Sequence, residues 1–223
     1  MPKVTEEYFT VKKKEIVDAA IRVCKSKPAY SITLRDVVRE CEISTGGIYN
    51  YFSSIDEIFA EILNQAYDEL SANAEFEKVF ESSKSPEEII MDFFILRGSM
   101  IDRTYHQYGK LIYELQTIYL NDPERGRMML AKIKSNDDGL NLLVKLRDFI
   151  DNHITNGHFN SVIPTGQIMF IIVAASDGIK KAIIDPDSVA ELEFIGLPEN
   201  ESATAESMMK ILAQVIINLL ATK

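Results

Sequence analysis

The sequence predicts an all-α fold, with a small N-terminal group of three helices and a larger C-terminal helical part. Apolar residues recur at helical spacing in almost every segment. Signals for the start of a helix, a Ser, Thr or Asp followed by an acidic residue, return several times along the chain. No clusters of turn residues separating alternating strand patterns interrupt these segments. With 223 residues, of which 46% are hydrophobic, the chain is long enough to bury a substantial core.

Composition excludes several classes of protein. The longest apolar runs fall well short of the roughly 20 residues that span a membrane, and no signal-type segment opens the chain, so we expect a cytoplasmic protein. Cys24 and Cys41 are too far apart for a CxxC motif and occupy apolar helical positions, so we expect inert buried thiols. We expect no metal and no other cofactor.

The charge is unevenly distributed along the chain. Residues 1–55 contain nine Lys or Arg and seven Asp or Glu, which gives +2, whereas residues 56–223 contain fifteen and twenty-seven, which gives −12. The net charge of −10 argues against an unspecific coat for nucleic acid. The uneven distribution still allows a polyanion to approach the N-terminal part, while the rest of the chain would repel one.

The first two helices are defined by apolar spacing and by breaker and capping residues. Apolar residues at steps of four predict a helix over residues 10–26, and Pro28 ends it. Thr33 and Asp36 have the form of a capping box, which predicts a second helix that ends near Glu42.

The next two helices begin at serines. Ser44 is the candidate N-cap of a short third helix that runs to about Phe52. Ser54 and Glu57 form another capping box, which opens a longer fourth helix with a continuous apolar stripe.

The C-terminal part consists of longer helical stretches. A proline preceded by Ser or Asp and followed by Glu begins a helix at Pro86 and again at Pro123. The aromatic-rich helix over residues 87–120 is predicted to break near residues 105–109, and the stretch from 124 to 157 to bend or split at Asn136–Gly139.

The last two long helices, over residues 165–184 and 203–222, are apolar nearly all round, and residues 185–202 are predicted to be the loop between them. Such helices need to be covered. A subunit interface and burial within one monomer both satisfy that need, and the sequence favours a homodimer through these two helices.

Two short helices joined by a tight turn, the second of them uncharged, are typical of a helix-turn-helix. At 100° per residue, Ile48 and Phe52 of the third helix point inward together. This places two glycines and an asparagine on the outward face and a tyrosine on each flank, namely Gly46, Gly47, Asn50, Tyr49 and Tyr51. Glycine in a helix costs roughly 1 kcal/mol relative to alanine, so a backbone that must approach a groove or a phosphate would explain the pair.

These residue types match the chemistry of duplex DNA. Tyrosine hydroxyls and the N–H groups at helix starts, near Thr33 and Ser54, can bond phosphate oxygens. Asn50 could pair with an adenine edge and Thr45 could pack on a thymine methyl group. The positive charge would come from outside the third helix, with the candidates Lys12, Lys13, Lys14, Arg35 and Arg39. From geometry alone, a plain α-hairpin with half-buried tyrosines fits equally well.

Residues 10–63 resemble the N-terminal DNA-binding domain of the tetracycline-repressor-like (TetR-type) regulators. The resemblance rests on "IVDAAIRV", "ITLRDVVREC" and above all "STGGIYNYF" followed by S-x-D-E-I-F. It implies a homodimer that binds a palindromic operator in double-stranded DNA and represses genes until a small ligand binds the C-terminal domain. It also implies DNA contacts from one set of residues: Thr33, Ser44, Thr45, Gly46, Tyr49 and Tyr51. Residues 1–53 would then be the DNA-binding domain and residues 54–223 the ligand-binding and dimerisation domain.

The chain departs from the family pattern at several positions. Members usually have Gly where this chain has Glu42, and often a phosphate-contacting Lys where it has Ile55. These departures concern DNA affinity more than the fold. In the second half, "DFIDNHITNGHF" and "IMFIIVAASDGI" are similar in pattern to helices of the dimer bundle of many members.

A ligand site is expected in the aromatic segment over residues 91–120, because the corresponding helices enclose the effector in this family. An apolar pocket with a few polar anchors suits a largely apolar molecule, and Arg97 could hold a carboxylate or acyl group. An ordinary aromatic core and a pocket for a cationic ligand are the alternatives. The candidate ligand-binding residues are Phe93, Phe94, Arg97, Met100, His106, Tyr113 and Gln116.

Two other classes of function compete with a regulator. The three histidines lack the i, i+4 spacing of a helical metal pair, and neither HExxH nor Gly-x-Ser-x-Gly occurs, so we expect no enzyme. A protein-interaction module of the same fold that has lost DNA binding is the alternative, and its motivation is Glu42 and the uncharged third helix.

Overall fold

The computed structural model of the chain describes residues 6–41, 43–70, 73–134, 137–185 and 204–220. Its secondary structure is helical, which confirms the predicted all-α class. A 3-10 turn, Ala29–Ser31, follows the first helix. The helices are α1 Glu6–Ser26, α2 Leu34–Glu40, α3 Thr45–Ile48, α4 Ile55–Leu70, α5 Asn73–Phe80, α6 Pro86–Asn121, α7 Pro123–Leu130, α8 Asp137–Thr155, α9 Thr165–Ile184 and α10 Ala205–Leu220.

The chain divides into two compact units, and the long helix α6 contributes to both. The first unit comprises residues 1–68 and 108–135, and the second comprises residues 69–107 and 136–223. The first unit therefore combines the predicted helix-turn-helix with the C-terminal half of α6 and with α7. Residue 53, the domain boundary predicted from the sequence, stays a prediction.

After residue 70, three elements differ from the sequence-based prediction. The predicted break near residues 105–109 is wrong, because α6 runs without interruption through Gly109. Tyr108, Leu111 and Ile112 around it are buried, and their burial outweighs the roughly 1 kcal/mol that one helical glycine costs. The helical stretch after residue 124 is interrupted as predicted, but the interruption begins earlier, because α7 ends at Leu130 and α8 begins at Asp137. The short helix α5 was not predicted, and most of the predicted loop over 185–202, like Glu42, lies outside the described residues.

The core of the first unit is formed by the apolar stripes of its helices. α1 packs on α2 and α2 on α3, as the spacing of their apolar residues requires. The side chains that fill this core are almost completely buried: Ile16, Val17, Ala20, Val37, Ile48, Phe52, Ile58, Phe59 and Ile62.

Polar contacts attach the segment around α7 to α4 within the first unit. Arg125 donates from Nε and Nη2 to the Asp56 carboxylate at 2.7–3.1 Å. Lys132 donates to Glu57 at 2.6 Å. The buried Asn64 accepts from the Lys134 backbone N–H at 2.7 Å and donates to the Lys132 carbonyl at 3.4 Å. These contacts fasten the first three turns of α4 to one neighbouring segment.

The second unit has its own aromatic and aliphatic core, in which α9 packs on α10 and on α8. Phe93 lies at its centre, with ring centroids 5.1 Å from Phe76 and 5.5 Å from Phe94. Several apolar side chains on α9 and α10 are nevertheless exposed: Phe170 (74%), Val173 (41%), Ile211 (63%) and Val215 (45%). None of the described helices is both long and apolar enough to cross a membrane.

The two cysteines are reduced thiols, and they differ in environment. Cys24 is buried, and burial raises the pKa of its thiol to about 12. Such a thiol stays protonated at neutral pH and is a poor nucleophile. Cys41 is only half-buried, so the expected burial holds fully for Cys24 alone.

Candidate nucleic-acid interface

The helix α3 is held by two apolar anchors and one serine cap. Ile48 and Phe52 are 0% and 3% exposed, which confirms that they point inward. Ser44 Oγ accepts a hydrogen bond from the Gly47 N–H at 3.0 Å, so Ser44 is the N-cap as predicted. The regular helix ends at Ile48, earlier than predicted, and a turn closed by the Tyr51 N–H on the Ile48 carbonyl (2.9 Å) continues to residue 51.

The two glycines of α3 have different surroundings. A Cβ added at Gly46 would meet nothing within 4 Å, so this position offers open backbone to a partner. A Cβ at Gly47 would lie 2.9 Å from Ser44 Oγ and 3.1 Å from Ile43 Cγ1. The glycine at 47 therefore has a structural reason, the helix cap, while only Gly46 fits the expected close approach to a groove.

The two tyrosines that flank α3 are also unlike each other. The Tyr49 side chain is 59% exposed. Tyr51 is half-buried, and its ring stacks on Phe9 with centroids 4.8 Å apart and planes inclined by 30°. Neither ring is sealed beneath a neighbouring helix. Phe9 was missed in the sequence, because the predicted first helix began at about residue 10, whereas α1 begins at Glu6.

The start of α2 is a complete capping box. Thr33 Oγ1 accepts from the Asp36 N–H at 3.4 Å, and the Thr33 N–H and hydroxyl both donate to Asp36 Oδ2, at 2.8 and 2.7 Å. Lys27 Nζ donates to the same oxygen at 2.8 Å. Lys27 and Thr33 hold the pKa of the Asp36 carboxyl at about 2, well below its ordinary value. A phosphate that approached Thr33 would meet a hydroxyl that already has a partner.

The start of α4 has a serine cap as predicted, but its acidic side chain accepts from the residue before the cap, so the predicted capping box is only partly formed. Ser54 Oγ accepts from the Glu57 N–H at 3.2 Å, and the Ser53 N–H donates to Glu57 Oε2 at 2.6 Å. Lys132 and the Ser53 N–H lower the pKa of Glu57 to about 2. Ile55, at the position where TetR-type regulators often have lysine, is half-buried.

The lysines expected to supply positive charge are mostly neutralised inside the first unit. Lys12 pairs with Glu15 at 2.5 Å, Lys13 with Glu61 at 2.9 Å and Lys14 with Asp18 at 2.8 Å. Arg35 and Arg39 are exposed on α2, four residues apart, and form no ion pair within the part of the chain that the structure describes. These two arginines are thus the free cations beside the predicted recognition helix.

The remaining predicted DNA contacts lie on one exposed stretch. Ser44, Thr45, Gly46 and Asn50 are exposed, Gly47 and Ser54 are half-buried, and Thr33 and Arg35 are exposed on the neighbouring helix. All ten residues belong to the first unit. We call the surface formed by Ser44–Tyr51 together with Thr33 and Arg35 the α2–α3 surface.

The seven predicted ligand-binding residues are divided between the two units. Phe93, Phe94 and Met100 are buried in the second unit. Arg97 of the same unit has a buried Nε without a hydrogen-bond partner, and burial lowers the pKa of its guanidinium. His106 is exposed.

The other two predicted ligand residues belong to the first unit and line separate cavities. Gln116 lines a cavity of about 440 Å³ between α4, α6 and α7, whose walls are mostly apolar: Leu63, Tyr67, Ile112, Leu115, Tyr119, Leu120, Met129 and Leu130. Tyr113 lines a second cavity of about 410 Å³ beside the 3-10 turn.

The histidines belong to the second unit, where His153 and His158 make local contacts. His153 packs against Phe149, with ring centroids 4.5 Å apart, and His158 Nε2 lies 2.8 Å from Glu87 Oε1. No group of three potential metal ligands occurs among the residues that the structure describes.

Comparison with known proteins identifies the kind of domain that contains the α2–α3 surface. Residues 16–62 match the model of bacterial regulatory proteins, tetR family. The uncharacterized HTH-type transcriptional regulator YfiR of Bacillus subtilis (strain 168) is 41% identical over 88 residues, which are 38% of this chain and 43% of that protein. The chain is thus aligned with less than half the length of this curated relative. The resemblance to TetR-type regulators is confirmed, and the matched proteins are regulators, not enzymes.

Solved structures extend the likeness in fold to nearly the whole chain. The TetR family transcriptional regulator PfmR from Thermus thermophilus superposes with a TM-score of 0.62 at 16% identity and covers 92% of this chain and 98% of its own. The ketosteroid transcriptional regulator KstR2 of Mycobacterium tuberculosis has a TM-score of 0.61 at 15% identity, with 95% and 96% covered. At these identities the likeness shows the fold alone.

The Asp36 capping box makes the stability of the first unit depend on pH. The pKa of Asp36 is about 2 in the folded protein and about 4 in an unfolded chain. Its contribution is therefore fully present above about pH 4 and is lost as the pH falls toward 2. Asp36→Asn should destabilise the protein at pH 5, and the difference from wild type should shrink by pH 2.5. Urea unfolding at several pH values tests this, and a difference that does not change with pH would contradict it.

The two glycines of α3 form a matched pair for a second test. Gly47→Ala should lower the free energy of unfolding by about 1 kcal/mol, because the new methyl group displaces the Ser44 cap. Gly46→Ala should be neutral or slightly stabilising, since its methyl group meets open space. Urea unfolding at pH 7 measures both values. Equal stability of the two variants would show that the cap is not what requires glycine at 47.

Proposed function

Because residues 16–62 constitute a helix-turn-helix domain of the TetR type, we propose that the chain is a sequence-specific DNA-binding transcriptional regulator. In this proposal it is a repressor that leaves its operator when a small, largely apolar ligand binds. The observation that carries the proposal is the exposure of the α2–α3 surface around two buried anchors, Ile48 and Phe52. The uncharged outward face of α3 takes no part in the core that Ile48 and Phe52 anchor, whereas a helix exposed in this way can enter a major groove.

We assign the DNA contacts in two groups. Thr45 and Asn50 face base edges, where a methyl group and an amide discriminate thymine and adenine, and Gly46 lets the backbone approach. Tyr49, Tyr51 and Arg35 contact phosphates, with Ser44, Gly47, Thr33 and Ser54 holding the helix starts beside the DNA backbone. Because Lys12, Lys13 and Lys14 are paired with carboxylates, few phosphates are neutralised, and the salt dependence of binding is modest.

The cavity between α4, α6 and α7 supports the proposed response to a ligand. Its volume of about 440 Å³ and its apolar walls suit a small apolar molecule, which Gln116 and the tyrosine hydroxyls can orient. A ligand that separates α7 from α6 also displaces α4, since Asp56, Glu57 and Asn64 are fastened to the α7 segment. A ligand shifts the DNA-binding equilibrium only if it binds the two arrangements with different affinity.

The second unit supports a homodimer. The exposed apolar side chains on α9 and α10 form a face that water does not favour, and two copies could bury it against each other. A twofold dimer places two α3 helices about 34–36 Å apart, the repeat of successive major grooves, which suits a palindromic operator. We propose Arg97, in the aromatic core of the second unit, as a second residue that could bind the polar group of a ligand. Its buried Nε has no hydrogen-bond partner within the described residues.

The tyrosine hydroxyls provide the first test of DNA binding. A Tyr49→Phe, Tyr51→Phe variant keeps the stacking of ring 51 on Phe9 and removes only the two hydroxyls. We expect at least tenfold weaker binding to a duplex selected by the wild-type protein from a random-sequence pool, because two phosphate bonds are lost. Fluorescence anisotropy measures the affinity.

Two charge variants accompany this test, one that should weaken DNA binding and one that is its matched control. Arg35→Gln should also weaken binding and reduce the slope of affinity against salt by about one, whereas Arg147→Gln on α8, whose arginine already pairs with Asp148, should change neither. Undiminished affinity of the double tyrosine variant would argue against the assigned contacts. A wild-type protein that selects no duplex at low salt would favour the interaction module without DNA binding.

The exposed apolar face provides a separate test of the dimer. Phe170→Asp places a charge in the proposed interface and should yield a monomer of native helical content in sedimentation velocity. Leu120→Asp, at an apolar side chain of α6 that is 78% exposed in the first unit, is the control and should stay dimeric. A dimer that survives Phe170→Asp would place the interface elsewhere.

A further inference from the structure

The cavity beside the 3-10 turn is lined only by residues of the first unit. It has no part in the proposed DNA binding or in the proposed binding of an apolar ligand. Its volume is about 410 Å³. The turn Ala29–Ser31 contributes one wall, and α6 and the start of α7 contribute the other. The lining residues are Tyr30, Tyr113, Glu114, Thr117, Ile118, Asn121, Asp122 and Arg125.

The wall formed by the turn is fixed in place. The Ala29 N–H donates to Glu114 Oε2 at 2.5 Å, and Ala29 itself is completely buried. Lys110 Nζ donates to the Lys25 carbonyl at 3.4 Å just before the turn. The backbone of the turn is thus bonded to α6, so the position of the next residue, Tyr30, relative to α6 is well defined.

Two tyrosine rings border this cavity with free surface. Tyr30 is 74% exposed and Tyr113 is 44% exposed. Aromatic side chains are usually buried because their rings carry a large apolar area. Two exposed tyrosine side chains in the lining of one cavity are both accessible to the same ligand.

The charges around the cavity favour a cation. Glu114 and Asp122 contribute carboxylates to the lining. Arg125 is the one cation among the lining residues, and its guanidinium is already bound to Asp56 through Nε and Nη2. Lys110 lies 3.8 Å from Glu114 and compensates it only in part. Asn121, whose Nδ2 donates to the Thr117 carbonyl at 2.9 Å, keeps its carbonyl oxygen as a further acceptor.

We propose that this cavity is a binding site for a small organic cation, with an alkylated ammonium group held between Tyr30 and Tyr113 and beside Glu114. A tyrosine face attracts a cation through its quadrupole, and a second face with a nearby carboxylate adds to that attraction. An anion would meet two carboxylates, and an uncharged ligand would gain nothing from the π-faces beyond contact area. The site is distinct from the apolar cavity lined by Gln116.

The position of the site gives its occupation a consequence. Tyr30 lies three residues before Thr33, the N-cap of α2, so a cation that bridges Tyr30 and Tyr113 ties the start of α2 to α6. Cation affinity does not depend on the proposed function, whereas an effect of the cation on DNA affinity does. By linkage, a cation that changes DNA affinity must have its own affinity changed by DNA to the same extent.

Calorimetric titration of the full chain with choline and with its uncharged isostere 3,3-dimethylbutan-1-ol tests the proposal. Choline should bind saturably and at least tenfold more tightly than the isostere. Tyr30→Ala should weaken choline about three- to tenfold, and the loss of so exposed a side chain leaves the core intact. Glu114→Gln should weaken choline while its amide oxygen still accepts from the Ala29 N–H. Tyr49→Ala, at another exposed tyrosine, beside α3, is the control and should bind choline like wild type.

Each contrary outcome has a distinct meaning. Absence of saturable choline binding overturns the site, and equal affinity for the isostere shows an apolar groove without selectivity for charge. Choline affinity unchanged in both Tyr30→Ala and Glu114→Gln places the binding elsewhere. Loss of DNA binding in the tyrosine hydroxyl variant with intact choline binding would leave the cation site standing by itself.

Discussion

The burial of Ile48 and Phe52 in the core of the first unit is the constraint on which the rest of the structure depends. A helix of four residues has no stability of its own, because nucleation costs more than so few hydrogen bonds return. These two side chains, 0% and 3% exposed, hold α3 against the core, and the Ser44 cap completes its first turn. The residues on the outward face of α3 are then not needed for the core and can serve contact with a partner. This explains an uncharged, glycine-bearing surface in a chain with 26% charged residues.

The anchor Phe52 also connects α3 to α4. It lies two residues before Ser54, the cap of α4, and the first three turns of α4 are fastened to the segment around α7 by Asp56, Glu57 and Asn64. The helix-turn-helix is therefore mechanically continuous with the C-terminal half of α6 and with α7 inside one compact unit. Two cavities lie along this connection, one apolar and one bordered by tyrosines and carboxylates. A ligand bound in either cavity would act on α2 or α4 through contacts within the first unit, without involving the second unit.

The sequence predicted most of what local rules determine. The capping box at Thr33, the serine cap at Ser54, the inward pair Ile48 and Phe52, and the two proline starts at Pro86 and Pro123 all follow from spacing and hydrogen-bond chemistry. The DNA-contact residues were predicted from the exposed face of a short helix, which is fixed once its anchors are known. That assignment stays a prediction.

What the sequence could not show depends on contacts between distant segments. The continuity of α6 through Gly109 is decided by burial of its neighbours, and the neutralisation of Lys13 by Glu61 is a contact across 48 residues. The stacking of Phe9 on Tyr51 likewise joins the start of α1 to the turn after α3. The seven predicted ligand residues share α6 but are divided between the two units, because a helix of 36 residues carries its side chains past several different neighbours.

Hydroxyl-radical footprinting on the DNA beside the protein's own gene tests whether the exposed face of α3 binds DNA. A dimer bound to a palindromic operator should give two protected patches on one face of the duplex, about one helical turn apart and related by the palindrome. Uniform reactivity at low salt, or a single patch without a symmetry mate, would contradict it.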